Sequence, residues 1–103
     1  EAERAFNQAL EVDPGNPNTL VNLGFIYVDS DRPGLAVQSF TAALEVDLDN
    51  ENALYGLALA SRESGASGQS ADLWRAFLER YPDSRWAPNA RRFLEQTGVP
   101  PDL

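Results

Sequence analysis

The densest run of chemically capable side chains in this sequence is Asp47-Leu48-Asp49-Asn50-Glu51. Spaced carboxylates are what a hard cation such as calcium requires. A calcium loop counted from Asp47 would also need glycine at its sixth place and a bidentate glutamate at its twelfth. Those places hold Asn52 and Ala58. The run reads instead as an inter-helix turn, with Asn50 capping the next helix and Glu51 complementing the positive end of its dipole. Asp29 and Asp31 form a second acidic pair, of the type used for proton exchange. They fall at an expected helix end, where solvated acids are ordinary. Histidine and cysteine are both absent. That removes the commonest general base, any Ser–His or Cys–His nucleophile, thiolate metal sites and disulfides. Gly65 and Gly68 belong to a small-residue turn, not a phosphate-cradling loop. The expectation is no enzyme, no metal and no cofactor.

The elements that carry these residues recur. Ala2-x3-Phe6-x2-Ala9-Leu10-x3-Pro14 returns 34 residues later as Ala36-x3-Phe40-x2-Ala43-Leu44-x3-Leu48. After another 34 it returns as Trp74-x2-Phe77-Leu78-x3-Pro82. Between the copies lie Leu20-x2-Leu23-Gly24-x2-Tyr27 and Leu54-x2-Leu57-Ala58-x2-Ser61. A fixed period of this length, built from helix-sized apolar segments, marks stacked helical hairpins.

Six helices are predicted, over 2–12, 17–28, 33–46, 51–63, 70–81 and 85–97. The first carries an i, i+3, i+4, i+7, i+8 apolar stripe, broken by Asp13-Pro14-Gly15. Asn16, Asn50 and Ser84 stand in register as N-caps. Pro17 and Pro33 suit first helical positions, where a missing N–H costs nothing. Gly98 is placed as the residue just past the last helix, and Pro100-Pro101 blocks its extension. Gly24 and Ala58 are small where the two helices of a hairpin cross. The matching residue of the last helix is Arg92, which would obstruct a following helix. The last helix is therefore expected to be a cap with one solvated face.

The net charge is −8. Residues 1–63 hold eleven acids against Arg4, Arg32 and Arg62, while residues 64–103 hold five charges of each sign. An acidic surface repels phosphate backbones, which argues against nucleic acid, and it steers basic segments inward. No apolar run approaches the roughly 18 residues of a membrane span, so membrane insertion is not expected. A cysteine-free chain suits both the cytoplasm and a bacterial periplasm, and the compartment stays open.

The spacing resembles the tetratricopeptide repeat (TPR) family over nearly the whole chain. The resemblance implies an all-α, right-handed α-solenoid of antiparallel helix hairpins with a C-terminal capping helix. It divides one TPR domain, 1–103, into the second helix of a truncated repeat (1–14), repeats at 17–50 and 51–84, a cap (85–97) and a tail (98–103). Glu1 opens mid-repeat, so the chain is read as a fragment of a larger protein. The implied function is a scaffold that binds a peptide segment of a partner in its concave groove. The alternative is a structural spacer, or self-association through the open first helix around Phe6 and Leu10.

In such a family the first helix of each hairpin lines the groove. Carried onto this chain, those positions are Asn18, Val21, Asn22, Phe25, Val28 and Asp29, then Asn52, Tyr55, Gly56, Leu59, Arg62 and Glu63. Asparagine amides suit peptide backbone, and Phe25, Tyr55 and Leu59 are the implied anchors. Tyr27, Phe40, Trp74 and Phe77 are implied core residues. Trp86 either fills the core or lines the groove. One subtype of the family grips the C-terminal carboxylate of chaperones through an asparagine and basic residues. Asn22 matches that asparagine, but Asn52 and Gly56 stand where cations are needed. The partner implied is a basic or neutral protein segment.

Overall fold

Most of the helices start where the sequence supplies a side-chain cap or a proline. The computed structural model describes residues 2–12 and 14–98, without the side chains of residues 2, 3, 6, 10, 12 and 67. The expected open stripe around Phe6 and Leu10 therefore lies outside the described residues, as do Asp13 and the tail beyond Gly98. The helices are α1 (Ala2–Val12), α2 (Pro17–Asp29), α3 (Pro33–Val46), α4 (Glu51–Glu63), α5 (Ser67–Arg80) and α6 (Ala87–Gln96). The Asn16 carboxamide accepts the N–H groups of Asn18 (3.0 Å) and Thr19 (3.3 Å). Asn50 accepts that of Ala53 at 2.9 Å. Both satisfy amides that have no partner inside the helix.

Two boundaries differ from expectation. α5 begins at Ser67, three residues before the expected 70. Ser67 is the repeat equivalent of Pro33, and first-turn amides need no intrahelical acceptor, so Gly68 is tolerated there. α6 begins at Ala87 and not at 85. Pro88 has no N–H to close a turn onto the Ser84 carbonyl, so Ala87 reaches that carbonyl instead, at 3.0 Å. The N-cap position thus falls on Trp86, which makes no side-chain cap, and the expected cap Ser84 serves the preceding turn, where its hydroxyl accepts the Trp86 N–H at 3.0 Å.

α2 and α4 end alike. In α2 the Asp31 N–H donates to Val28 C=O (3.1 Å) and the Arg32 N–H to Tyr27 C=O (2.8 Å). In α4 Gly65 donates to Arg62 (3.1 Å) and Ala66 to Ser61 (3.0 Å). These are Schellman caps, which place one residue in the left-handed region. Gly65 takes it at φ 85° and Asp31 at φ 60°. The repeat thus sets a non-glycine residue where its own second copy has glycine.

Consecutive helices pack antiparallel, and α2 also lies against α4. The result is an all-α solenoid, elongated to 44 × 25 × 20 Å. Two large rings fill the wedges between successive first helices. Phe40 of α3 is fully buried between α2 and α4, and Trp74 of α5 is fully buried among residues of α4 and α6. A Cβ on Gly24 would lie 2.7 Å from the Phe40 ring, and one on Gly56 only 2.3 Å. The space at Gly24 is therefore taken by a ring from the second helix. Gly56, assigned to the groove by resemblance, is buried against the same ring. Around Trp74 the equivalent places are Ala58 and Ala90, both fully buried.

α6 ends the described stack as a cap. Pro88, Arg91, Arg92 and Glu95 fall 34 residues after Leu54, Leu57, Ala58 and Ser61, and all four are exposed. The face that packs inward in α4 is turned to solvent in α6. At the other side of the array Arg80 pairs with Asp49 and donates to the Leu48 carbonyl (3.2 Å), while the Tyr81 hydroxyl donates to Asp49 C=O (2.8 Å). These bonds tie one inter-repeat turn to the next.

Three substitutions check this account in urea denaturation. Gly56→Ala gains about 1 kcal/mol of helix propensity but overpacks a site where misfit costs about 1–3 kcal/mol. A net loss of about 1 kcal/mol is expected, and a gain would show that Phe40 has room. Asp31→Gly removes a left-handed penalty of about 1–2 kcal/mol against about 0.5–1 kcal/mol of added chain entropy. It should raise the urea midpoint with the slope unchanged, and Gly65→Asp should lower it.

Candidate functional site

The three first helices α2, α4 and α6 run side by side, so residues 34 apart form rows across them. One row is Asn18, Asn52 and Trp86; another is Phe25, Leu59 and Phe93; a third is Asp29, Glu63 and Thr97. Contacts between α4 and α6 keep this register. The Trp86 indole Nε1 donates to Asn52 Oδ1 at 3.4 Å, and Arg62 Nη2 donates to Gln96 Oε1 at 3.1 Å. Both pairs are separated by 34 residues, so the sequence period is visible as physical contact.

The structure sorts the positions carried over from the resemblance into three groups. Asn18, Asn22, Asp29 and Asn52 are exposed. Phe25, Val28, Leu59 and Arg62 are half-buried, with Phe25 edge-on against Phe40 at 4.9 Å. Val21 and Tyr55 are interior residues, each only 6% exposed. Val21 joins the cluster of α2, α3 and α4 that contains Ala53 and Phe40. Tyr55 is edge-on to Trp74 (5.5 Å) and lies under Trp86, whose ring is stacked on it at 4.7 Å and 16°. Tyr55 is thus a floor beneath Trp86 and not a free anchor. What removes it from the surface is the docking of α6, an event of tertiary structure.

The charges on this face are unequal. Among the described residues α2 carries Asp29 and no cation, and Arg62 is the one cation of α4. Arg62 pairs with Glu63 at 3.5 Å and lies over the Phe93 ring at 4.7 Å. Both partners of the pair are well exposed, so it contributes little stability. A cavity of about 300 Å³ opens beside it, lined by Arg62, Ser70, Phe93, Gln96 and Thr97. Among the described residues no group of three or more His, Cys, Asp or Glu is placed to hold a metal ion. Asp47 instead accepts the N–H of Asp49 (3.3 Å) and the side-chain amide of Asn50 (3.4 Å), as a turn residue does.

From the last segment the sequence reading weighed Trp86 alone for the groove. The structure adds Phe93 and Gln96, and the signal that could have found them is their spacing of 34 from Leu59 and Arg62. It also resolves the alternatives for Trp86, which is half-buried, packed on the core through Tyr55 and placed in the first-helix row.

Helix order, hairpin stacking and the row register together define a tetratricopeptide-repeat-like fold. The chain is similar to the TPR domain of Arabidopsis OM64, with a TM-score of 0.83 and 20% identity over 91% of this chain and 78% of that one. It is equally similar to the second TPR domain of human RPAP3, solved in complex with the HSP70 peptide SGPTIEEVD. There the TM-score is 0.83 and the identity 15%, over 95% of this chain and 79% of that one. No protein-family model matches the sequence, and no curated protein matches it. No helix among the described residues is long and apolar enough to cross a membrane.

If Trp86 seals the core at α6, Trp86→Ala should destabilise the protein by about 2 kcal/mol, below the roughly 3–5 kcal/mol of a fully buried tryptophan. Asn52→Ala removes one hydrogen bond and should cost about 1 kcal/mol or less. Denaturation followed by near-ultraviolet circular dichroism separates the two.

Proposed function

We propose that this chain is a protein-interaction scaffold that binds an extended, basic or neutral segment of a partner along the face formed by α2, α4 and α6. The observation that carries the reading is the exposure of Asn18, Asn22 and Asn52 in rows beside the half-buried Phe25 and Leu59. Carboxamides offer both donors and acceptors to a peptide backbone. Half-buried apolar side chains offer area that a partner can cover at little ordering cost. The absence of histidine and cysteine, together with solvated acids in turns, supports binding as the role and not catalysis.

The RPAP3 domain is described with a peptide that carries three acidic side chains. The face of this chain is poorly matched to such a ligand. Its one α4 cation already faces Glu63 and Gln96. The places where a carboxylate-gripping TPR domain needs cations hold Asn52 and the buried Gly56. Asp29 and the excess of acids in residues 1–63 favour the opposite ligand charge.

Selection from a peptide library on the protein, beside the Asn18→Ala/Asn22→Ala double variant, tests this. Both side chains are exposed, so the fold should be unaffected. Peptides enriched by the parent are expected to bind the variant at least fivefold more weakly and to lose affinity with added salt. Equal enrichment on both proteins, or none, would overturn the assignment and favour a spacer or self-associating role.

A further inference from the structure

We propose that Trp86 is a cation-stacking platform for an arginine of the bound partner, and that Arg85 occupies this platform in the unbound protein. The inference rests on the peptide-binding reading above and names the chemistry of its strongest anchor.

The indole is held on two sides of its structure before any partner arrives. Its Nε1 donates to Asn52 Oδ1 at 3.4 Å, and Tyr55 stacks on its ring at 4.7 Å and 16°. Tyr55 is nearly buried while Arg85 is exposed, so Tyr55 covers the inner side and the guanidinium covers the solvent side. The Arg85 guanidinium carbon lies 4.7 Å from the Trp86 ring centroid. A tryptophan face is the best aromatic acceptor for a cation, and a planar guanidinium stacks on it better than an ammonium does. Among the described residues no carboxylate pairs with Arg85, so the ring is its anchor. A solvent-exposed contact of that kind is weak and readily exchanged.

The position makes the platform part of the binding face. Trp86 lies 34 residues after Asn52 in the same row, at the α6 side of α4. A segment running across Asn18 and Asn52 reaches it next. Its neighbours α2 and α4 carry Asp29, Glu51 and Glu63 against Arg62, a modest acidic balance that favours a cation at this face. An arginine of the partner that displaces Arg85 is desolvated against the ring as the segment docks, and cation–π attraction strengthens when water is removed. Arg85 is then free to pair with an acid of the partner or to return to solvent.

The test uses the whole chain and two probes: an acetylated octapeptide of alternating arginine and serine, and the same peptide with citrulline for arginine. Citrulline keeps the planar shape and removes the charge. The protein has two tryptophans, and Trp74 is fully buried, so two indole N–H resonances report separately once Trp86→Phe assigns them. The arginine peptide is expected to shift the Trp86 resonance and leave that of Trp74 in place, with the citrulline peptide at least fivefold weaker. Arg85→Ala removes the internal competitor and should tighten the arginine peptide about fivefold. Arg91→Ala removes the same charge from an exposed place on α6, away from the ring, and should change binding less than about twofold. Equal response to both peptides, an unmoved Trp86 resonance, or an Arg85→Ala variant no tighter than Arg91→Ala would overturn the proposal. Library enrichment that depends on Asn18 and Asn22 but shows no arginine preference would remove the platform while leaving the binding reading intact. An absence of any enrichment would remove both.

Discussion

A large ring from each second helix has to fit between two successive first helices, and the rest of the architecture follows from that fit. Phe40 fills the wedge between α2 and α4, and Trp74 the wedge between α4 and α6. Interiors of proteins are close-packed, so the volume of the ring and the size of the residues facing it must be matched. Phenylalanine is met by two glycines, Gly24 and Gly56, and tryptophan by two alanines, Ala58 and Ala90. The wedge sets how closely the first helices approach. That spacing places Asn18, Asn52 and Trp86 in one row.

The same stacking logic governs the ends of the array. A repeat protein buries its core only by adding neighbours, so the last element must present a polar outer side. α6 does so by exchanging four inward-facing positions for Pro88, Arg91, Arg92 and Glu95. Its other side keeps Ala90 and Phe93 for the core and turns Trp86 onto Tyr55. One helix therefore closes the described stack and furnishes part of the candidate binding face. The turns add further ties between repeats. Asp47 and Asn50 order the loop before α4, and Arg80 and Tyr81 tie that loop to the segment after α5.

Surface chemistry in this fold is decided by which residues remain uncovered once the rings are seated. What stays uncovered on the first-helix side is a set of exposed asparagines beside the half-buried Phe25 and Leu59. Solvated acids at Asp47, Asp49 and Glu51 are used for turns and inter-repeat bonds, with Glu51 accepting the Ser84 hydroxyl. The densest carboxylate run is thus spent on holding the array together.

Helix order, caps and the fold class were legible in the sequence because each rests on local chemistry repeated in register. Asn16 and Asn50 cap by reaching amides two or three residues away, and Gly98 takes the left-handed conformation expected just past a helix. The groove was less legible. The first-helix positions were placed by spacing alone, and spacing cannot tell Asn52, which stays exposed, from Tyr55, which α6 covers. Nor does it show that Gly56 faces a ring, because the clash depends on Phe40 from a different helix. By itself the sequence determined the period, the helices and the Asn16 and Asn50 caps, all properties of neighbours along the chain. The tertiary structure alone decided which side chains remain at the surface and what Trp86 rests on, because burial is set by contacts between separate segments, as between Gly56 and Phe40 or Tyr55 and Trp86.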